Sequence, residues 1–281
     1  MSSRHRIIGF IVISFILFVT GCFPFHGMRK SRYTSSVVDY LYPHRTVAEQ
    51  PSIPHLSLPL RVGIAFVPES DVRPMARALS GKNKIDLMER ISSEFRALQF
   101  VEDIELIPTE YLTRGGGFTN LDQIKTMYNI DVITLIAYDQ VQHTDEGILS
   151  FSYLTIIGAY IVQGEKNDTN TMIDAVVYDI SSRKMLFRAP GTSHIKGSST
   201  PVNLSEQLRS DSLEGFNQAA DNLVIKLKDE LDRFKVKIKE MPKAYTVTHK
   251  TGYTGGGSIG CIYGIIFLIL GGLAIWSGKK K

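Results

Sequence analysis

Cysteine is almost missing from this chain: two stand among 281 residues, Cys22 and Cys261, one near each end. Residues 60–240 contain none. That excludes a disulfide framework and a thiolate metal site from the middle of the chain. Charge of one sign is missing as well. The net charge of +4 comes from 32 basic and 28 acidic residues. Five of the basic residues, Arg4, Arg6, Lys279, Lys280 and Lys281, lie at the extreme termini. Without them 27 basic residues face 28 acidic ones, a net charge of −1. The middle of the chain therefore offers nucleic acid no general attraction.

Catalytic signatures are also wanting. Gly115-Gly116-Gly117 is not followed by Gly-Lys-Ser/Thr, so it reads as a turn and not as a phosphate-binding loop. His194 lies close to Ser198 and Ser199, but no Gly-x-Ser-x-Gly elbow surrounds either serine. Asp139, His143, Asp145 and Glu146 follow an apolar run, the place where α/β sites often sit. A metal site needs three or four convergent ligands, and the segment reads instead as a solvated loop. An enzyme working through residues 139–146 is kept as the alternative function. No catalytic, cofactor or metal residue is assigned.

What the chain does have is concentrated at its ends. Arg4, His5 and Arg6 precede an apolar stretch from Ile7 to Val19, which is followed by Val19-Thr20-Gly21-Cys22. A basic start, an apolar segment and small residues at its close define a secretory signal. Its roughly 13 apolar residues fall short of the ~20 that span a bilayer, which argues against an uncleaved membrane helix. At the other end, Thr254-Gly255-Gly256-Gly257-Ser258 leads into an apolar run from Ile259 to Trp276 and a tail ending Lys279-Lys280-Lys281. About 18 apolar residues just span a hydrocarbon core. Terminal lysines favour the cytoplasmic side, and Trp276 suits an interface.

Val19-Thr20-Gly21-Cys22 resembles a lipobox. The resemblance implies diacylglyceryl transfer to the Cys22 thiol and cleavage between Gly21 and Cys22 by lipoprotein signal peptidase. The glycine cluster, apolar run and basic tail resemble the GlyGly-CTERM sorting signal, which implies processing by rhombosortase, a rhomboid-type intramembrane protease, around Gly255, Gly256, Gly257 and Ser258. Glycine costs roughly 1 kcal/mol against alanine inside a helix, so this cluster resists helical propagation where a protease must unwind its substrate. A plain tail anchor with a Gly/Ser hinge is the alternative. The two ends together resemble the rhombotarget lipoproteins. The tail departs from the usual pattern in carrying Cys261 and in ending in lysine where arginine is common.

The middle of the chain reads as one α/β domain. Residues 22–59, with prolines at Pro24, Pro43, Pro51, Pro54 and Pro59, read as a Pro-rich tether whose only apolar patch, Val37 to Tyr42, is free to dock on the domain. Residues 60–240 give strands at Leu60 to Val67, Val101 to Ile107 and Asp131 to Tyr138, with helices at Ile85 to Leu98 and Leu121 to Tyr128, the latter capped by Asn120. Three further strands follow, at Ser150 to Val162, Thr171 to Ile180 and Met185 to Ala189. A long helix from Leu204 to about Ile238 ends in a charge-rich stretch that is expected to project. The expected fold is a single mixed sheet with packed helices and a long C-terminal helix. It is flanked by a signal peptide (residues 1–21), a Gly/Ser/Thr linker and sorting motif (241–258), a transmembrane helix (259–276) and a basic tail (277–281).

Tyr138-Asp139-Gln140, Tyr178-Asp179-Ile180 and the hairpin Asp179 to Leu186 are similar to features of small α/β domains in envelope lipoproteins, among them the curli-secretion lipoprotein and the amino-terminal domain of the Tol-system propeller protein. That likeness is topological and implies little about function. The expectation is a lipid-anchored protein of the bacterial cell envelope with a non-catalytic domain. Its expected partners are the membrane, the two processing enzymes, and either another envelope protein or a second copy of itself; nucleic acid is not among them. Phe23 stands where aspartate retains lipoproteins at the inner membrane by the enteric rule, so the outer membrane or the cell surface is the expected destination.

Overall fold

The computed structural model describes residues 29–43, 51–69, 80–146, 165–200 and 202–253. Gly21, Cys22, the segment from Gly255 to Ser258, both terminal apolar runs and the expected strand at Ser150 to Val162 lie outside them. In chain order the elements are β1 (Arg29–Thr34), α1 (Val37–Leu41), β2 (His55–Leu58), β3 (Leu60–Phe66), α2 (Gly81–Phe95), β4 (Val101–Ile107), a 3-10 turn (Thr109–Tyr111), α3 (Gly117–Tyr128), β5 (Val132–Glu146), β6 (Glu165–Asp179), β7 (Lys184–Ser199), α4 (Leu204–Glu240) and β8 (Thr246–His249). Among the described residues no helix is long and apolar enough to cross a membrane.

β3 is buried along Gly63, Ile64, Ala65 and Phe66, which fits a central strand covered on both faces. It pairs in parallel with β4 on one side and β5 on the other. Parallel neighbours need crossovers, and α2 and α3 supply them. The sheet runs β4-β3-β5-β6-β7, with β1 also paired to β5. The expected mixed α/β sheet with a long final helix is what forms.

The described residues divide into two compact units, one drawn from 33–140, 171–193 and 216–253, the other from 29–32, 141–146, 165–170 and 194–215. In the first, strand alternation sorts side chains into two layers. Ile64, Phe66, Ile136, Tyr138 and Ile173 pack with Leu87, Met88 and Ile91 of α2 and with Phe216, Ala219, Leu223 and Leu227 of α4. Ala65, Val67, Ile133, Leu135 and Val176 pack with Val37, Tyr40 and Leu41 of α1 and with Phe118, Leu121 and Ile124 of α3. Burying one such side chain stabilises by about 1.5–3 kcal/mol.

Three readings need correction here. The stretch 22–59 is not a tether throughout: β1, α1 and β2 belong to the fold. Ser36 caps α1, its side chain accepting from Asp39 N, and Val37, Tyr40 and Leu41 are buried. Prolines and polar residues hid three elements too short to show a period. The linker reading fails in part for the same reason, because β8 pairs in parallel with β2, His55 to Leu58 against Thr246 to His249. Finally, the charged end of α4 does not project. Phe234 is buried and its ring sits 5.4 Å from Phe187 and 5.5 Å from Tyr245. One apolar residue per turn is enough to dock a helix whose other faces are charged.

Smaller shifts have local causes. α2 begins at Gly81 because Ser80 accepts from Asn83 N at 3.2 Å; its buried stripe is Leu87, Met88 and Ile91, while Ile85 is exposed. α3 starts at Gly117, so Asn120 lies inside the helix rather than at its cap.

Candidate functional site

The first unit holds a cavity of about 690 Å³. Its origin lies in helix lengths. α2 stops at Phe95, while α4 runs on to Glu240. The two helices are tied by the ion pairs of Arg90 with Asp221 and of Lys228 with Glu94. Beyond Lys228, α4 has no α2 beside it. The space that remains is floored by the sheet at Val62, Val101, Ile104, Val132 and Val177 and closed by Phe95 and Leu98. Leu231, Phe234 and Ile238 of α4 form one wall, and Leu56, Leu58 and Val247 of the β2–β8 pair form another.

The chemistry of the lining is one-sided. Among the described residues that line it, the polar side chains besides Tyr253 are Gln99, Thr134, Lys235, Lys239 and His249, and none is a carboxylate. Thr134 is buried, whereas Gln99, Lys239 and His249 are exposed and mark the mouth. Lys235 donates to Asp232 Oδ1 at 2.9 Å and lies 5.3 Å from the Phe100 ring centre. His249 stacks on Tyr253 at 5.4 Å. Pockets of roughly 300–1,000 Å³, mostly apolar with a few placed polar groups, are typical of small-molecule sites. Such an arrangement can desolvate an apolar body and neutralise a negative end.

The sequence-proposed cluster is dispersed. Asp139, His143, Asp145 and Glu146 lie along β5, which is strand and not loop. Residues four apart on a strand are about 13 Å apart, so Asp139 and His143 cannot hold one ion between them. Among the described residues no group of three His, Cys, Asp or Glu could hold a metal. His194 and Ser199 do not pair either. His194 Nε2 meets Asp168 Oδ1, and Ser199 Oγ accepts from Asn167 Nδ2 at 3.2 Å. Gly115 and Gly117 have φ of 61° and 60°, so these glycines serve the turn into α3.

The second unit has a polar interior of its own. Gln142 Nε2 donates to Thr169 Oγ1 at 3.2 Å and to Leu208 O at 2.8 Å. Gln207 Nε2 donates to Asp211 Oδ1 at 2.7 Å. Asp211 is 2% exposed, and a Cβ on Gly197 would lie 2.6 Å from its Oδ2.

Sequence reasoning missed the cavity. Every wall residue reads as ordinary core, because periodicity reports which way a side chain faces and not whether the volume it faces is filled.

No protein-family model matches the chain, and no curated protein matches it. Among solved structures it is similar to a PelC variant dodecamer from Paraburkholderia phytofirmans, with 11% identity, 71% of this chain and 96% of that chain covered, and a TM-score of 0.29. A likeness that distant carries no argument about this chain.

Proposed function

We propose that the protein is a bacterial cell-envelope lipoprotein, anchored by lipid on Cys22, whose α/β domain binds an apolar component of the envelope and catalyses no reaction. The observation that carries the binding part is the cavity of about 690 Å³, apolar-walled and, among its described lining residues, without a carboxylate. The anchoring part rests on the lipobox-like Val19-Thr20-Gly21-Cys22. Tail processing rests on the Gly255–Ser258 cluster before the apolar run. In this reading lipoprotein signal peptidase cuts before Cys22, and a rhombosortase-type protease cuts in the Gly255 to Ser258 region. That second cut frees the inner-membrane attachment and leaves the lipid as sole anchor for the outer membrane or surface.

The deciding experiment is the intact mass of the protein from its own membrane fraction. Loss of residues 1–21 with added acyl mass, and loss of the segment after Gly255 to Ser258, supports both steps. A chain still ending in Lys281 makes it a doubly anchored inner-membrane protein. An unmodified Cys22 defeats the lipoprotein reading.

A further inference from the structure

We infer that the cavity under the end of α4 is a binding site for one long-chain fatty-acid anion, its chain against the sheet and its carboxylate at the mouth between Lys235, Lys239 and His249. The inference deepens the proposed binding function, and it rests on the proposed envelope location only for the supply of ligand.

Three observations select this occupant. The first is volume. At roughly 30 Å³ for each group the size of a water molecule, 690 Å³ holds about two dozen such groups. That is room for one long acyl chain and its carboxylate. The second is polarity. The deep walls, Val62, Ile104, Val132, Val177 and Leu227, offer no partner to a polar ligand body, and burying polar groups without partners is costly. Thr134 is the one buried polar side chain among the lining residues. The third is charge. Among the described lining residues the ionisable groups are two lysines, a histidine and the Tyr253 phenol, Lys235 being paired with Asp232 outside the lining. Lys239 makes no ion pair among the described residues and is exposed beside the opening, so its ammonium is available to a carboxylate.

Position supports the same ligand. Tyr253 lines the cavity, and the apolar run begins at Ile259. Six residues reach about 20 Å when fully extended. While the tail occupies a bilayer, the mouth is therefore held close to the lipid surface, where fatty acids partition.

The test uses the full chain in lipid nanodiscs with a diazirine-bearing palmitic acid, and in a parallel arm a diacyl phosphatidylglycerol carrying the same diazirine. Adducts are mapped by peptide mass spectrometry. The expected result is saturable palmitate labelling of the segments around Ile91 to Phe100 and Leu227 to Lys239, at least tenfold above the diacyl probe there and competed by unlabelled palmitate. The double substitution Lys235→Gln with Lys239→Gln lowers that labelling at least fivefold at unchanged melting temperature. Adducts confined to residues 259–276, equal labelling by the diacyl probe, or indifference to the double substitution overturn the proposal. The same spectra report the mass on Cys22, so a failed lipoprotein reading (no acyl mass) is told apart from a failed cavity reading (acyl mass present, cavity unlabelled).

Discussion

Tyr40 Oη donates a 2.8 Å hydrogen bond to Asn120 Oδ1, joining the short helix α1 to the interior of α3 across 80 residues of chain. Asn120 Oδ1 also accepts from Thr113 N at 2.9 Å, and Asn120 Nδ2 donates to Tyr111 O at 3.3 Å. One amide thus holds α1, the 3-10 turn and α3 together. Tyr40→Phe should cost about 1 kcal/mol, while Asn120→Ala, which strands a buried hydroxyl and two backbone groups, should cost roughly 2–3 kcal/mol. Urea unfolding of the two single variants and the double variant measures this. Coupling well below 1 kcal/mol would mean that α1 is only loosely seated.

Gly191 lies on β7, the last strand of the sheet, and Gly63 on β3, inside it; both lack room for a methyl group, but for different reasons. At Gly191 of β7 a Cβ would meet Ala219 O at 2.1 Å and Leu223 N at 2.6 Å, the backbone of α4. At Gly63 of β3 it would meet only the tips of Ile130 and Ile107, at 2.6 and 2.7 Å. Helix backbone cannot step aside, whereas an isoleucine tip can change rotamer. Gly191→Ala is therefore expected to cost about 3 kcal/mol or more and Gly63→Ala about 1 kcal/mol. Equal melting temperatures for the two variants would contradict the direct seating of α4 on β7.

The layers of the fold were legible because their signals are local. Alternation along β3 and the 3.6-residue stripe of α4 each announce a face within a few residues. Helix ends were less legible. Ser80 sets the start of α2, but its buried apolar stripe begins only at Leu87. β2 and β8 were not legible at all. They are four residues each and pair across some 190 residues of chain, so neither carries a pattern until the other is beside it. For the site, the chemistry-bearing residues drew attention to Asp139 and His143, which strand geometry keeps apart. The cavity arises from a mismatch between the ends of α2 and α4, a tertiary quantity without a residue of its own.

Phe234 tests whether the charged end of α4 is structural. On charge alone this stretch reads as a solvated arm, and a substitution there should change stability by no more than about 0.5 kcal/mol. Its ring is instead buried between Phe187 and Tyr245. Truncation to alanine should cost about 3 kcal/mol, the low end for buried phenylalanine, because the space opened joins an existing cavity. A fall in the urea midpoint at constant slope would establish it. A changed slope would point to partial unfolding of the β2–β8 pair and the end of α4.

Alkaline pH should unfold the first unit before its exposed tyrosines matter. Burial, then the nearby Tyr42 and Asp174, push the Tyr178 phenol up to about 12 from its ordinary value of 10.0. Burial raises Tyr40 further, and burial with the Glu69 carboxylate does the same for Tyr33. The sign follows from which state ionises first. Below pH 10 both states hold the phenol neutral, and the stabilisation is fully present. As pH rises from 10 toward 12, the unfolded chain releases its proton while the folded chain retains it, so stability falls. For Tyr178 alone the loss over that window is about 2–3 kcal/mol. Melting temperature between pH 9 and 12, read beside phenolate absorbance, should drop steeply above pH 10 in the parent protein and less steeply in Tyr178→Phe. A flat profile through pH 12, or a Tyr178 that ionises with the fold intact, would contradict its seat between α3 and the sheet.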